Sequence, residues 1–150
     1  MKISKNELKK ISRKLRKISS DVINAYYLEQ NGFLDELIAY INNTELLKNY
    51  IDSIEYDVSN LESVMTDING SYGRMTLDLG SDSKKRAFLL YKAFIIIKEN
   101  NYPTYNFGWY YAGGNKYQDM AKAFGDRLVY PFVSELGEYM KDIATDMGYD

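Results

Sequence analysis

Leu8, Ile11, Leu15, Ile18, Val22 and Ala25 recur at alternating three- and four-residue steps. That spacing gathers apolar side chains on one stripe of an α-helix and scatters them over both faces of a strand. The same rhythm returns in Leu47, Ile51, Ile54, Val58, Leu61, Met65 and Ile68, and again in Phe132, Leu136, Met140, Ile143 and Met147. Three heptad-type stripes of this kind constrain the chain to helices that pack side by side.

Local chemistry sets the expected boundaries. Ser4, with Glu7 three residues on, fits a capping box and starts the first helix. Asn31 and Gly32 are a usual stop and end it. A short second helix is expected over residues 33–41, with Leu34, Leu37, Ile38 and Ile41 facing inward. Thr44 is a good N-cap for a third helix that runs through Ile68 and stops at Asn69 and Gly70. Residues 70–83, "GSYGRMTLDLGSDS", break the helical period. Met75, Leu77 and Leu79 alternate there, which suits a short extended piece.

Ser81, Asp82 and Ser83 offer caps for a fourth helix over residues 83–100. It is apolar nearly all round from Ala87 to Ile97, the pattern of a helix buried on several sides. Residues 100–115 form an aromatic loop. A last helix covers about residues 116–147, kinked or divided at Pro131, which lacks an N–H and crowds the preceding turn. Gly148 offers a C-cap. The fold class expected is all-α, an antiparallel helical bundle of about four long helices plus one or two short ones. At 150 residues, one domain spanning 1–150 suffices for a full hydrophobic core.

Composition closes off several chemistries. The chain has no cysteine and no histidine. Disulfides, thiolate nucleophiles and zinc–thiolate sites are therefore impossible. So are Ser-His-Asp and Cys-His hydrolases and ribonucleases built on an arginine–histidine pair. No apolar core follows the basic N-terminus, so no signal peptide is expected. The longest strongly apolar run, residues 87–97, contains Lys92 and falls short of the roughly 20 residues of a membrane span. A cytoplasmic protein that does not enter the membrane is expected.

Charge is distributed unevenly. Residues 9–19, "KKISRKLRKIS", hold six basic residues and no acid. Residues 1–18 carry a net +7 and the rest of the chain a net −9. On a helical wheel at about 100° per residue, Lys2, Lys5, Lys9, Lys10, Arg13, Arg16 and Lys17 lie on the half opposite the apolar stripe, and Lys14 lies at the stripe's border. The plain reading is a solvated face. Such asymmetry also points to an acidic partner, whether nucleic acid, protein or an anionic surface. An intramolecular or homodimeric match is a further reading, because residues 45–67 and 135–150 are rich in aspartate and glutamate.

Six of the ten residues from Tyr102 to Tyr111 are aromatic. Tyr105, Trp109 and Tyr110 are candidates to anchor a partner or stack on bases, against the plainer reading of a loop folded over one end of the bundle. Lys116 and Arg127 follow in the chain and could lend charge, though no spacing places them beside these rings. "GSYGR" at 70–74 lacks a Walker lysine and a G-x-G-x-x-G, so no nucleotide loop is expected. Glu135, Glu138 and Asp142 share a helix face but lack the histidine of a di-iron bundle, and read as a solvated acidic face. Met65, Met75, Met120, Met140 and Met147 read as core fillers. No cofactor, metal site or catalytic residue is expected.

Residues 124–150, "FGDRLVYPFVSELGEYMKDIATDMGYD", resemble the end of a helical N-terminal module in uncharacterised bacterial and prophage-associated proteins, some of them defence-related. The shared features are the Tyr-Pro-Phe-Val step at 130–133, Leu136, Tyr139 and the Asp-Met-Gly ending at Gly148, over about a fifth of the chain. The resemblance implies an assembly or recognition module, with another domain following Asp150. The function expected is that of a non-enzymatic helical interaction module, self-associating or binding an acidic protein through Lys9, Lys10, Arg13, Lys14, Arg16 and Lys17. A nucleic-acid-associated protein using the same helix is the alternative.

Overall fold

The computed structural model describes residues 2–149; Asp150, where the resemblance places a domain boundary, lies outside them. The described residues are all-helical, with no strand. In chain order the α-helices are α1 (Lys5–Ile23), α2 (Gln30–Asn43), α3 (Glu45–Asp52), α4 (Leu61–Asn69), α5 (Ser83–Asn100), α6 (Trp109–Ala112), α7 (Tyr117–Phe124) and α8 (Tyr130–Asp146). A 3-10 turn, Thr104–Phe107, precedes α6, and a π turn, Gly125–Val129, joins α7 to α8.

The four long helices, α1, α2, α5 and α8, form an antiparallel bundle, and cross-links at both ends give the directions. The Tyr149 hydroxyl donates to the Ile3 carbonyl while Gly125 abuts Ile23, so α8 runs against α1. Gln30 reaches Val22, and the Tyr40 hydroxyl reaches Ile11, so α2 runs back along α1. Asn31 bonds Tyr102, setting the start of α2 beside the end of α5. Tyr91 lies over Phe132 and Phe94 beside Phe124, so α5 and α8 are antiparallel too.

The apolar stripes meet in the middle. Leu15 and Val22 of α1 are fully enclosed, as are Leu37 and Ile41 of α2 and Leu136 of α8. α5 buries residues on most of its circumference, including Leu90, Phe94 and Ile97. Phe94 sits edge-on to both Phe124 and Phe132, an arrangement that adds to simple area burial. Among the described residues, no helix is long and apolar enough to cross a membrane.

The caps follow the sequence closely at some ends. Ser4 accepts from the Glu7 N–H at 3.1 Å. Asp82 accepts from the N–H groups of Lys84 and Lys85. Beyond α8, Gly148 turns left-handed (φ 73°), and Gly148 and Tyr149 donate back to Thr145 and Ala144. The backbone N–H groups at Lys85 and Lys84, aided by the two ammonium groups, hold the Asp82 carboxyl below its ordinary range. Its folded pKa lies under its unfolded one, so its contribution to stability is complete above the ordinary carboxylate range and fades as pH falls through the lowered value. Asp82→Asn keeps a capping oxygen but cannot titrate. Acid titration of the melting temperature is therefore expected to fall less steeply in Asp82→Asn than in the wild type.

Several expected boundaries are corrected. The first helix ends at Ile23, not at Asn31, because the Asn24 side chain and N–H both fold back onto Ser20. Asn31 and Gly32 lie inside α2, which is longer than expected. The expected third helix is two: after Asp52, Ser53 bonds back to Tyr50, and Asp57 accepts from the Ser59 N–H. These local side-chain bonds offer the backbone an alternative to the helical ladder. Thr44 stands at the start of α3, but its hydroxyl donates to the Tyr40 carbonyl instead of capping. Residues 75–80 are irregular, with Leu77 buried and Met75 exposed, so Met75 is not a core filler.

The aromatic stretch is not a loop but the 3-10 turn followed by α6, both packed on α7. In the last helical stretch the irregularity lies before Pro131. The Tyr130 N–H reaches the Gly125 carbonyl, five residues back. The ladder has already changed register when the proline arrives without an N–H to give.

Candidate functional site

The basic residues of α1 come out on its solvent face, as the wheel requires. Lys5, Lys9, Lys10, Arg13, Lys14, Arg16 and Lys17 are all exposed. Of these α1 residues, only Lys17 has an ion-pair partner among the described residues: Asp21, one turn on in the same helix. The acidic residues of α3, α4 and α8 make no ion pair with α1. Direct ion pairs to those helices therefore do not account for the face.

The six expected residues are not equivalent. Lys5, Lys9 and Arg16 lie within about 40° of one another around the α1 axis, and Lys9 and Arg16 border a groove between α1 and α8. Leu8, Leu15, Val133 and Met140 make its apolar floor, and Lys141 stands on the α8 rim. The groove holds about 370 Å³, and no carboxylate lines it. Lys10, Arg13, Lys14 and Lys17 sit further round, away from it.

Tyr105, Trp109 and Tyr110 go to different places, and no ring contact joins them among the described residues. Tyr105 packs against Tyr27 (6.0 Å between centroids) and Tyr117 (4.7 Å). Tyr26 completes that cluster, at the end of the bundle where α1 turns into α2. Burial pushes the Tyr105 hydroxyl above the ordinary tyrosine value, and Tyr117 and Tyr27 add to it. Trp109 sits edge-on to Tyr72, over Gly73. Tyr72 holds a left-handed conformation (φ 55°) that bulky residues rarely adopt, and is 73% exposed. Tyr110 is exposed beside Tyr111, and the Arg127 guanidinium lies 5.1 Å over the Tyr111 ring. Along α1, Lys9 and Ile23 are about 21 Å apart, so the basic groove and the tyrosine cluster are separate surfaces.

The carboxylates of α8 are partly engaged. Glu135 accepts from the Tyr50 hydroxyl, whose ring stacks on Tyr139 at 4.0 Å. Burial first, and then the Glu135 carboxylate, push Tyr50 far above the ordinary tyrosine range. Among the described residues no group of three or more Asp or Glu side chains is placed to hold a metal ion.

Sequence reasoning missed two features. The tyrosine cluster joins residues about 90 positions apart, so no local pattern marks it. The groove had one visible signal, Gly137 in the middle of an otherwise strong helical stripe. Compared with family models, curated proteins and solved structures, the chain matches none.

Proposed function

We propose that this chain is a non-enzymatic interaction module that binds an acidic protein partner through the α1 face bordering α8. The observation that carries the reading is the juxtaposition of Lys9, Arg16 and Lys141 around an apolar groove whose lining holds no carboxylate. Exposed cations, of which Lys9 and Arg16 have no ionic partner among the described residues, steer an acidic partner and select it, while the apolar floor supplies the burial that exposed ion pairs alone do not. Self-association has less support, because the heptad stripes of α1 and α8 are spent inside the bundle. Residues 124–150 resemble the end of a helical N-terminal module in uncharacterised bacterial and prophage-associated proteins, and the assembly or recognition role which that resemblance implies agrees with this reading. A cytoplasmic setting is part of the proposal.

Nucleic acid is the competing partner for the same cations. An apolar floor offers nothing to a phosphate backbone, and a polyanion longer than α1 meets a remainder carrying net −9. The test is fluorescence anisotropy at low salt with three labelled probes: an acidic leucine-containing peptide, a DNA duplex and a single-stranded RNA of equal charge. The peptide is expected to bind most tightly, and Lys9→Glu/Arg13→Glu/Arg16→Glu to weaken it at least about tenfold, or about 1.4 kcal/mol. Tighter binding of DNA or RNA, falling steeply with salt and lost in the same variant, would transfer the face to nucleic acid.

A further inference from the structure

We infer that the groove between α1 and α8 seats an amphipathic α-helix of the partner, its apolar side chains on the floor and its carboxylates against Lys9, Arg16 and Lys141. The inference rests on the reading just given and adds the form of the partner's segment.

Three observations lead there. The first is length. Leu8 and Leu15 mark the groove along α1. Seven residues of helix span about 10.5 Å, the distance between the first and last anchors of a helix that docks through positions i, i+4 and i+7.

The second is Gly137. It lies inside α8, and a Cβ added there would meet nothing within 4 Å. Glycine weakens a helix interior relative to alanine, and nothing in the bundle requires it at this point. What the missing side chain does is hold the groove open on its α8 side, where Ala144 is also small.

The third is charge. Lys9 and Arg16 have no ionic partner among the described residues, and Lys141 meets only an exposed Glu138 at 3.5 Å. Cations on both walls of an apolar trough complement a helix with a leucine-type stripe flanked by carboxylates.

The probe is a displayed library of helical peptides about five turns long, selected on the intact chain at low salt. Selected peptides are expected to combine an i, i+3/i+4, i+7 apolar pattern with flanking aspartate or glutamate. They are expected to lose at least tenfold in affinity for Gly137→Leu, which fills the groove while melting no lower than the wild type. Gly137→Ala, a smaller intrusion that also favours the helix, is expected to raise the melting temperature and weaken binding several-fold. These two variants hold the inference to account even if leucine at 137 disturbs the fold.

Binders that are basic or patternless, or that keep full affinity for both Gly137 variants, overturn it. Sedimentation showing that the wild type pairs with itself, and that Gly137→Leu abolishes the pairing, would give the groove to a second copy and overturn it as well. Binders that respond to Lys9→Glu/Arg13→Glu/Arg16→Glu but ignore the Gly137 variants would leave the acidic-partner reading standing without the groove. Indifference to all of them removes both.

Discussion

Gly108→Ala is expected to cost the fold at least about 3 kcal/mol, the upper end of ordinary overpacking. For a domain of this size that lowers the melting temperature by roughly 6–12 °C. Gly108 joins the 3-10 turn to α6, and both lie on α7. A Cβ at this position would stand 2.1 Å from the Met120 carbonyl oxygen and 2.5 Å from the Phe124 nitrogen. Both are backbone atoms of α7, so no side chain can swing aside to relieve the contact. The backbone angles of Gly108 (φ −99°, ψ −11°) are open to any residue, so the whole cost is steric. Thermal and urea melts of Gly108→Ala measure it. A melting temperature within a degree of wild type would mean that the 3-10 turn and α6 do not lie on α7 as described.

Gln30→Met is expected to cost about 3–5 kcal/mol, although methionine matches glutamine closely in size. Gln30 is wholly enclosed. Its amide nitrogen donates to the carbonyls of Val22 (3.0 Å) and Ala121 (2.9 Å), and its amide oxygen accepts from the Thr104 hydroxyl. One side chain therefore ties the end of α1, the body of α7 and the 3-10 turn. Methionine would leave two carbonyls and a hydroxyl without partners in a dry interior, at about 1–3 kcal/mol for each such group. Thr104→Val removes only one of those bonds but strands the Gln30 amide oxygen, and is expected to cost about 1–3 kcal/mol. In the double variant the two losses should add to less than their sum, since the hydroxyl that Gln30→Met strands is then gone. Full additivity in urea melts would contradict the network.

The physics of each element decides how much of this was legible in the sequence. The inward stripe of α1, the Ser4 cap and the capping role of Asp82 depend on residues a few positions apart and are legible in the chain itself. The bundle of four long antiparallel helices followed from the same periodicity. Which helices are long did not. Ile54 and Val58 keep heptad spacing and pack partway against the core, yet they do so from a connecting segment, so spacing alone could not separate α3 from α4. Asn31 looked like a helix stop because its real partners, the Tyr102 carbonyl and the Thr104 N–H, lie about 70 residues downstream. The candidate site divides the same way. The exposure of Lys9 and Arg16 follows from the wheel, whereas the groove needs α8 set antiparallel beside α1. Tyr105, Trp109 and Tyr110 are neighbours in sequence that tertiary packing sends to three different contacts.

The central claim is that the α1–α8 face, and not another surface, receives the partner. Amide chemical-shift mapping tests it most directly, with the isotopically labelled chain titrated with the acidic leucine-containing peptide. The account predicts perturbations concentrated at Lys9, Ser12, Arg16, Gly137 and Lys141, with Tyr27, Tyr105 and Tyr117 unmoved. Perturbations centred on those tyrosines, with Gly137 silent, would contradict it.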